Sequence, residues 1–331
     1  MIEIDGSYLE GGGQILRTAL SLSAIYKAPF TITKIRANRP KPGLQPQHLA
    51  AVNAVAKVCN AKVEGNTLNS TKLSFYPTEI KAGDFEFDIG TAGSVTLLLQ
   101  ALIPILTFAD AKSTVTIKGG THVIKSPTYE YFAYCFLPNI QRMGVKAHIE
   151  LKRPGFYPQG GGEVCLTIFP SGVQNAELTG RGALKKTTAY ILLADLPTHI
   201  LEREEARIKS ALGSGTEVIK TNYMNCASKG NSITLISEYD NYNIGVDVIG
   251  QAGKPAEVVV DELLRLYRED AQHNALDQNM VDQLMVYVVL AGKGRLRYNL
   301  LSSHASTNIY TISKIAGIKL NIDKERKEIF L

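Results

Sequence analysis

Three stretches of the chain run in one order: a strand of alternating β-branched residues, a loop, an apolar helix and a closing strand. The first is Phe30–Arg36, then ANRPKPGLQPQ, then LAAVNAVAKVC, then AKVEG. The second is Ser113–Lys118, then GGTHVIKSPT, YEYFAYCFLPNIQRMG and VKAHIELK. The third is Arg295–Leu301, then SSHAS, TNIYTISKIAG and IKLNID. A repeated unit of this kind cannot bury its apolar helix face alone, so the units must share a core. Gly144 and Gly317 stand where such helices would be capped. Each unit is preceded by a polar or glycine-containing turn and another apolar helix: GGGQILRTALSLSAI, GTAGSVTLLLQALIPIL and DQNMVDQLMVYVVLAG. The expected architecture is a mixed α/β fold whose core holds three similar βα-type units in pseudo-three-fold arrangement. Such symmetry predicts that the loops Arg36–Gln47, Gly119–Thr128 and Ser302–Ser306 converge at one end.

Residues 181–274 break the pattern. They read as a strand (Lys186–Leu193), a long helix (Pro197–Leu212), three strands (Thr216–Tyr223, Ser232–Glu238, Asn243–Ile249) and a helix after Pro255. This predicts a smaller α/β domain, 181–274, inserted into a core made of 1–180 and 275–331. The scattered Cys59, Cys135, Cys165 and Cys226 form no C-x-x-C pair, and their pattern fits reduced thiols in the cytoplasm. The N-terminus lacks a basic head and an apolar run, and no segment reaches the ~18 apolar residues of a bilayer span. Nothing in the sequence sets an oligomeric state.

Charge is unevenly spread. Between Glu10 and Glu64 there are eight basic residues and no acid, and Gln283–Ile322 holds Lys293, Arg295, Arg297, Lys314 and Lys319 with no acid. Windows of one sign suggest an anionic partner. A basic face balanced by acids folded nearby explains them equally well.

Four segments could carry chemistry. In EGGGQILRTAL, Gly11, Gly12 and Gly13 lead into a helix whose first free N–H groups attract anions. No Lys-Ser or Lys-Thr follows, so this is not a nucleotide-binding P-loop. Glu10 would repel phosphate unless a divalent cation lay between them, and Arg17 can meet an anion bidentately. The plainer reading is a tight turn with Glu10 exposed. GTAGS (Gly90–Ser94) repeats the device, and Gln100 interrupts an apolar run where a buried amide needs a partner. In RANRPKPGLQPQH (Arg36–His48), three prolines stiffen a loop bearing Arg36, Arg39, Gln47 and His48, which suits a terminal phosphate. His304, in SSHAS, is placed in a loop between strand and helix. Its acid-free flanks favour a neutral imidazole able to attack phosphorus.

Together SYLEGGGQILRTALSLSAI, RANRPKPGLQPQH, DIGTAGSVTLLLQ, RPGFYPQGGGEV, DQL (Asp282–Leu284) and SSHASTN resemble the RNA 3'-terminal phosphate cyclase family, in order and over nearly the whole chain. One departure stands in RPGFYP, where Pro154 replaces a histidine common in the family. The resemblance implies a core like that of enolpyruvyl transferases plus the small insert. It implies ATP as substrate, a divalent cation (Mg²⁺ or Mn²⁺) and RNA ending in a 3'-phosphate as partner. A histidine would take AMP from ATP with release of pyrophosphate. AMP would then move to the RNA 3'-phosphate, and the vicinal 2'-OH would close a 2',3'-cyclic phosphate and release AMP. His304 matches the nucleophile. Glu10, Gln100, Asp282, Gly11, Gly12, Gly13 and Pro127 match ATP positions, with Glu10 for the metal. Arg17, Arg36, Arg39, Gln47 and His48 match positions for the RNA end. The alternatives are an RNA-processing relative, non-catalytic or nuclease-like, or an enolpyruvyl transferase-like enzyme. Relatives of the first kind lack the nucleophilic histidine.

Overall fold

A computed structural model describes residues 1–213 and 215–331. The first unit is β1 (Ile2–Asp5), α1 (Gly13–Tyr26), β2 (Phe30–Thr33), α2 (Pro46–Val58), β3 (Lys62–Glu64) and β4 (Leu73–Tyr76). Its sheet order is β1-β2-β4-β3. The second is β5 (Asp84–Asp88), α3 (Val95–Leu106), β6 (Ser113–Gly119), a continuous helical run, β7 (Lys146–Arg153) and β8 (Gly162–Phe169). That run comprises α4 (Tyr129–Tyr131), a π-helical stretch (Phe132–Phe136) and α5 (Leu137–Arg142). Its sheet order is β5-β6-β8-β7.

The third unit opens with β9 (Glu177–Leu178) and is then interrupted. The interruption is β10 (Leu184–Ala194), α6 (His199–Leu212), β11 (Glu217–Tyr223), β12 (Gly230–Tyr239), β13 (Asn243–Ile249) and α7 (Ala256–Ala271). The unit resumes with α8 (Gln278–Ala291), β14 (Arg295–Arg297), α9 (Ser303–Ala316), β15 (Asn321–Asp323) and β16 (Glu328–Phe330), in sheet order β9-β14-β16-β15. In all three units the first two strands are parallel and the remaining pairings antiparallel. The core is therefore one topology used three times. Each unit opens with a strand that the sequence pattern does not show. At two to five residues, β1, β5 and β9 are too short for alternation to register.

Helices α1, α3, α8 and α9 pack against one another, and the three sheets each turn one face toward this helical layer. In β8, Val164, Leu166 and Ile168 are buried and alternate with partly exposed residues, as a sheet with one apolar face requires. Ile15, Leu16, Leu20, Leu99, Leu102, Leu284 and Val288 fill the space between the helices. Each such side chain contributes roughly 1.5–3 kcal/mol of burial. Three of these helices, α3, α8 and α9, start on side-chain caps. Ser94 accepts from the Leu97 N–H, Asp277 from those of Asn279 and Met280, and Ser302 from that of Ala305. Among the described residues no helix is long and apolar enough to cross a membrane.

The second glycine run, QGGGE, is a joint. Gly160 and Gly161 have positive φ, and a Cβ would come 2.9 Å from Ala92 Cα at Gly160 and 2.5 Å from Ala227 Cβ at Gly161. The run is wedged between the GTAGS turn and the β11–β12 connection, where Ser228 Oγ accepts from the Gln159 N–H at 3.1 Å. Only glycine combines that backbone with that proximity.

In the interrupting sheet, order β11-β10-β12-β13, α6 and α7 cover one face over Ile191, Leu193, Ile233, Leu235 and Leu263. Glu204 of α6 is fully buried there, with one oxygen accepting from Asn231 Nδ2 at 3.1 Å and the other without a partner. Burial pushes its carboxyl up to about 7. Because the folded value is raised, stability present below the ordinary carboxyl range is lost as pH rises through that value, by up to roughly 3 kcal/mol. Glu204→Gln is expected to raise the Tm by several degrees at pH 8 and leave it nearly unchanged at pH 4.5. Thermal unfolding at the two pH values checks this, and an equal effect at both would exclude a charged Glu204 as the cause.

Candidate active site

The site lies where the N-terminal ends of α1 and α9 meet the Arg36–His48 loop. Helix α1 has no side-chain cap at Gly12, so its first N–H groups remain free for an anion. The glycines serve the protein's own packing. A Cβ on Gly12 would stand 2.4 Å from the Glu10 carboxylate, and one on Gly13 would stand 2.4 Å from His48 Nε2. Gly11 has φ +58° and would strike Asn38. These glycines let Glu10, Asn38 and His48 close around the start of α1. The Glu10 side chain is only 10% exposed, so the exposed tight turn is excluded.

His304 is not on a loop. Ser302 ends the preceding segment as a cap, and His304 occupies the first turn of α9. The expectation failed because SSHAS carries polar residues that also serve as a helix start. A helix holds the imidazole more rigidly than a loop would.

Two hydrogen bonds define this imidazole. Gln14 Nε2 donates to Asp282 Oδ2 at 2.8 Å, and Gln14 Oε1 lies 2.8 Å from His304 Nδ1. With the Gln14 amide nitrogen donating to Asp282, its oxygen faces His304. That oxygen only accepts, so Nδ1 carries the proton and Nε2 keeps its lone pair. Glu10 Oε2 lies 3.5 Å from the same Nδ1. Burial, then the charges of Arg17 and Arg39, hold His304 below the ordinary histidine range. The side chain is half exposed, and the ring is neutral at neutral pH.

Gln14 was not singled out in the sequence. The available signal was a polar residue at the buried face of an apolar helix, 9% exposed, like Gln100. Asp282 is buried on α8, and burial pushes its carboxyl up to about 7, against the Gln14 hydrogen bond and nearby Arg17. Gln100 Nε2 donates to Gln283 Oε1 at 2.7 Å. Gln14, Arg17, Gln100, Asp282, Gln283 and Asn308 line one cleft, whose apolar wall includes Pro104 and Phe136.

The basic residues divide. Arg17 is largely withdrawn from water, which lowers it to about 10, and among the described residues no carboxylate forms an ion pair with it. Arg39 pairs with Glu10. Arg36 turns inward and donates to the carbonyls of Lys41 and Gly43, so it braces its own loop. His48 is partly buried beside Arg36 and Arg17, and desolvation and those charges lower it to about 3. Its Nδ1 has no partner. Gln47 Oε1 accepts from the Ser94 N–H at 2.9 Å, tying this loop to the start of α3. Two residues of the second basic window are paired locally. Arg295 and Arg297 both bond to buried Glu328, at 2.8 and 2.7 Å.

The three loops meet in series rather than at one point. The first meets Glu10 and thereby His304, and through Gln47 it reaches the GTAGS turn, where Gly119–Thr128 also docks on its way to the interrupting sheet. Pro127 O accepts from Thr96 Oγ1 at 2.9 Å, and the Thr128 N–H donates to Asp247 Oδ2 at 2.7 Å. No recorded hydrogen bond of this loop, among the described residues, reaches Glu10, Gln14 or His304. The interruption follows unit three's first strand and claims the second loop as its support.

For a divalent cation the donor set is sparse. Among the described residues no group of three or more His, Cys, Asp or Glu could hold an ion. Glu10 Oε2, however, is buried without a hydrogen-bond partner. One such oxygen fits a Mg²⁺-type ion that takes its other ligands from phosphates and water.

A family model described as RNA 3'-terminal phosphate cyclase matches residues 8–322. A protein named RNA 3'-terminal phosphate cyclase from Sulfurisphaera tokodaii is 45% identical over 336 residues, covering 100% of this chain and 98% of its own. A protein of the same name from Methanosarcina barkeri is 39% identical, covering 98% of this chain and 97% of its own. Among solved structures, the enolpyruvyl transferase NikO from Streptomyces tendae aligns with 64% of this chain and 38% of its own, at 10% identity. Its TM-score of 0.30 is too low to carry an argument.

Proposed function

The chain belongs to the RNA 3'-terminal phosphate cyclase family, and we propose that it converts an RNA 3'-terminal phosphate to a 2',3'-cyclic phosphodiester using ATP, with His304 as covalent nucleophile. The observation that carries the nucleophile is the Asp282–Gln14–His304 chain of hydrogen bonds, which leaves Nε2 unprotonated. Nε2 attacks the α-phosphorus of ATP. A nitrogen–phosphorus bond forms, the bond to the bridging oxygen breaks, and pyrophosphate leaves. An oxygen of the RNA 3'-phosphate then attacks the same phosphorus and releases His304. The vicinal 2'-OH attacks the 3'-phosphorus, gives up its proton, and expels AMP. Adenylylation supplies the leaving group that a phosphate monoester lacks, and the neighbouring hydroxyl needs no encounter step.

The free N–H groups of α1 receive ATP phosphates, and the Arg17 cation, largely withdrawn from water, is assigned to the RNA end. The cleft with Gln100 and Asp282 is proposed to take the rest of the nucleotide, with Pro127 behind the start of α3. Glu10 would hold a divalent cation, which when bound offsets phosphate charge. Arg39 and neutral His48 are assigned to the RNA 3'-phosphate. Arg36 and Gln47 serve that site by bracing its loop.

The test is incubation with α-labelled ATP and a divalent cation, without RNA. Protein label that is acid-labile and alkali-stable would be the phosphoramidate. No label would leave an RNA-binding relative as the better reading. The proposed division of the basic residues has its own test. Arg39→Ala is expected to raise the KM for RNA 3'-phosphate about tenfold or more, with a much smaller effect on protein labelling by ATP. Equal loss of both would assign Arg39 to the nucleotide.

A further inference from the structure

An aromatic pair, Tyr8 exposed and Tyr310 partly buried, borders this site and has no part in the steps above. Tyr8 precedes Glu10 by two residues, and its carbonyl accepts from the Gly11 N–H at 3.0 Å, so a tight turn fixes it to the glycine loop. Its ring stacks on Tyr310 with centroids 4.0 Å apart and planes at 20°. Tyr310 lies on α9, the helix that carries His304, and its hydroxyl accepts from the Asp5 N–H at 3.2 Å. Tyr8 is 42% exposed. Lys314 Nζ stands 5.8 Å from the Tyr310 ring centre. The same turn is tied to the loop of Arg39, because Asn38 Nδ2 donates to the Ser7 carbonyl at 2.8 Å.

We infer that Tyr8, backed by Tyr310, is a stacking platform for the 3'-terminal nucleobase of the RNA. This rests on the RNA 3'-phosphate substrate proposed above. The inner face of the Tyr8 ring is taken by Tyr310, while nearly half of its surface remains open to water. Holding a large aromatic side chain rigid and open costs burial that a monomer would otherwise gain, and the stacked partner stops the ring from folding away. Recognition of single-stranded ends uses such faces, because every base has a π surface and stacking is tolerant of sequence. Lys314 adds a cation for the backbone phosphate that follows the base. The adenine of ATP is the other candidate occupant. Neither tyrosine lines the cleft of Gln14, Gln100 and Asp282, whereas the Asn38 bond joins the platform to the side of the site assigned to RNA.

The test compares two RNA oligomers ending in 3'-phosphate, one with a normal terminal base and one whose terminal ribose is abasic. Affinity is read by fluorescence anisotropy and cyclisation by KM. The wild type is expected to prefer the normal end about tenfold, from one stacked base. Tyr8→Ala is expected to erase that preference by weakening the normal end alone. Tyr8→Leu, which keeps an apolar contact with Tyr310, should behave like Tyr8→Ala, and Tyr8→Phe should keep the preference. A wild type that binds both ends equally, or a Tyr8→Ala that weakens both equally, would overturn the platform. A tenfold rise in the KM for ATP during protein labelling would give the platform to adenine and overturn it as well. Failure of the cyclase reading looks different: no protein label in the wild type, with the preference for a terminal base retained in binding.

Discussion

Replacing His304 by alanine is expected to abolish transfer of label from α-labelled ATP to the protein, by at least about 10⁴-fold, while the fold survives. The magnitude follows from removing a nucleophile rather than a binding group. No other histidine can substitute at that place. His48 is partly buried with its Nε2 against Gly13, and His122 is buried and bonded to Glu130 at 2.7 Å. The stability cost is small, because the side chain is half exposed and the helix cap is Ser302. Circular dichroism and thermal unfolding matching the wild type, with no label in the gel, is the expected pair of results. Label retained in His304→Ala would remove it as nucleophile.

Gln14→Ala is expected to lower the rate of protein labelling at saturating ATP by about 10²-fold, with a much smaller change in KM for ATP. Among the described residues, this amide alone both accepts from His304 Nδ1 at hydrogen-bond distance and reaches Asp282. Without it the imidazole is free to rotate and to exchange tautomers, so Nε2 is available and aimed only part of the time. Asp282 then loses a hydrogen bond in a buried place, which costs about 1–3 kcal/mol of stability. Its carboxyl should rise further above 7. The acid side of the pH–rate profile is therefore expected to change shape in Gln14→Ala. A merely structural role would lower Tm and raise KM without altering that profile. A KM effect larger than the rate effect would make Gln14 a nucleotide-binding residue and end the positioning argument.

Much of the architecture was visible locally. The three strand–loop–helix–strand stretches carry their periodicity in consecutive residues, and the helix starts at Ser94, Asp277 and Ser302 are written in capping chemistry. What stayed hidden was short or long-range. Strands β1, β5 and β9 have too few residues to show alternation. The placing of SSHAS as loop failed because hydroxyls favour turns and helix starts alike. The two readings of the second basic window could not be separated locally, because Glu328, which pairs with Arg295 and Arg297, belongs to the next strand of the sheet. Gln14 escaped because an amide in an apolar helix does not say what it faces.

The sequence alone determined the repeated unit, the family to which the motifs point, and the residue types from which a phosphate-handling site could be made. The unit and the residue types follow from propensity and spacing over a few residues, the family from the resemblance of whole motifs, and all survive without knowledge of neighbours. Only the tertiary structure decided which groups meet. It joined Asp282, Gln14 and His304 across 268 and 290 positions of chain, and thereby set which imidazole nitrogen is free. It also turned Arg36 into its own loop, paired Arg39 with Glu10 and, among the described residues, left Arg17 without an ion pair. Tautomer, burial and charge pairing depend on distances of a few ångströms between segments remote in sequence, and no local pattern encodes them.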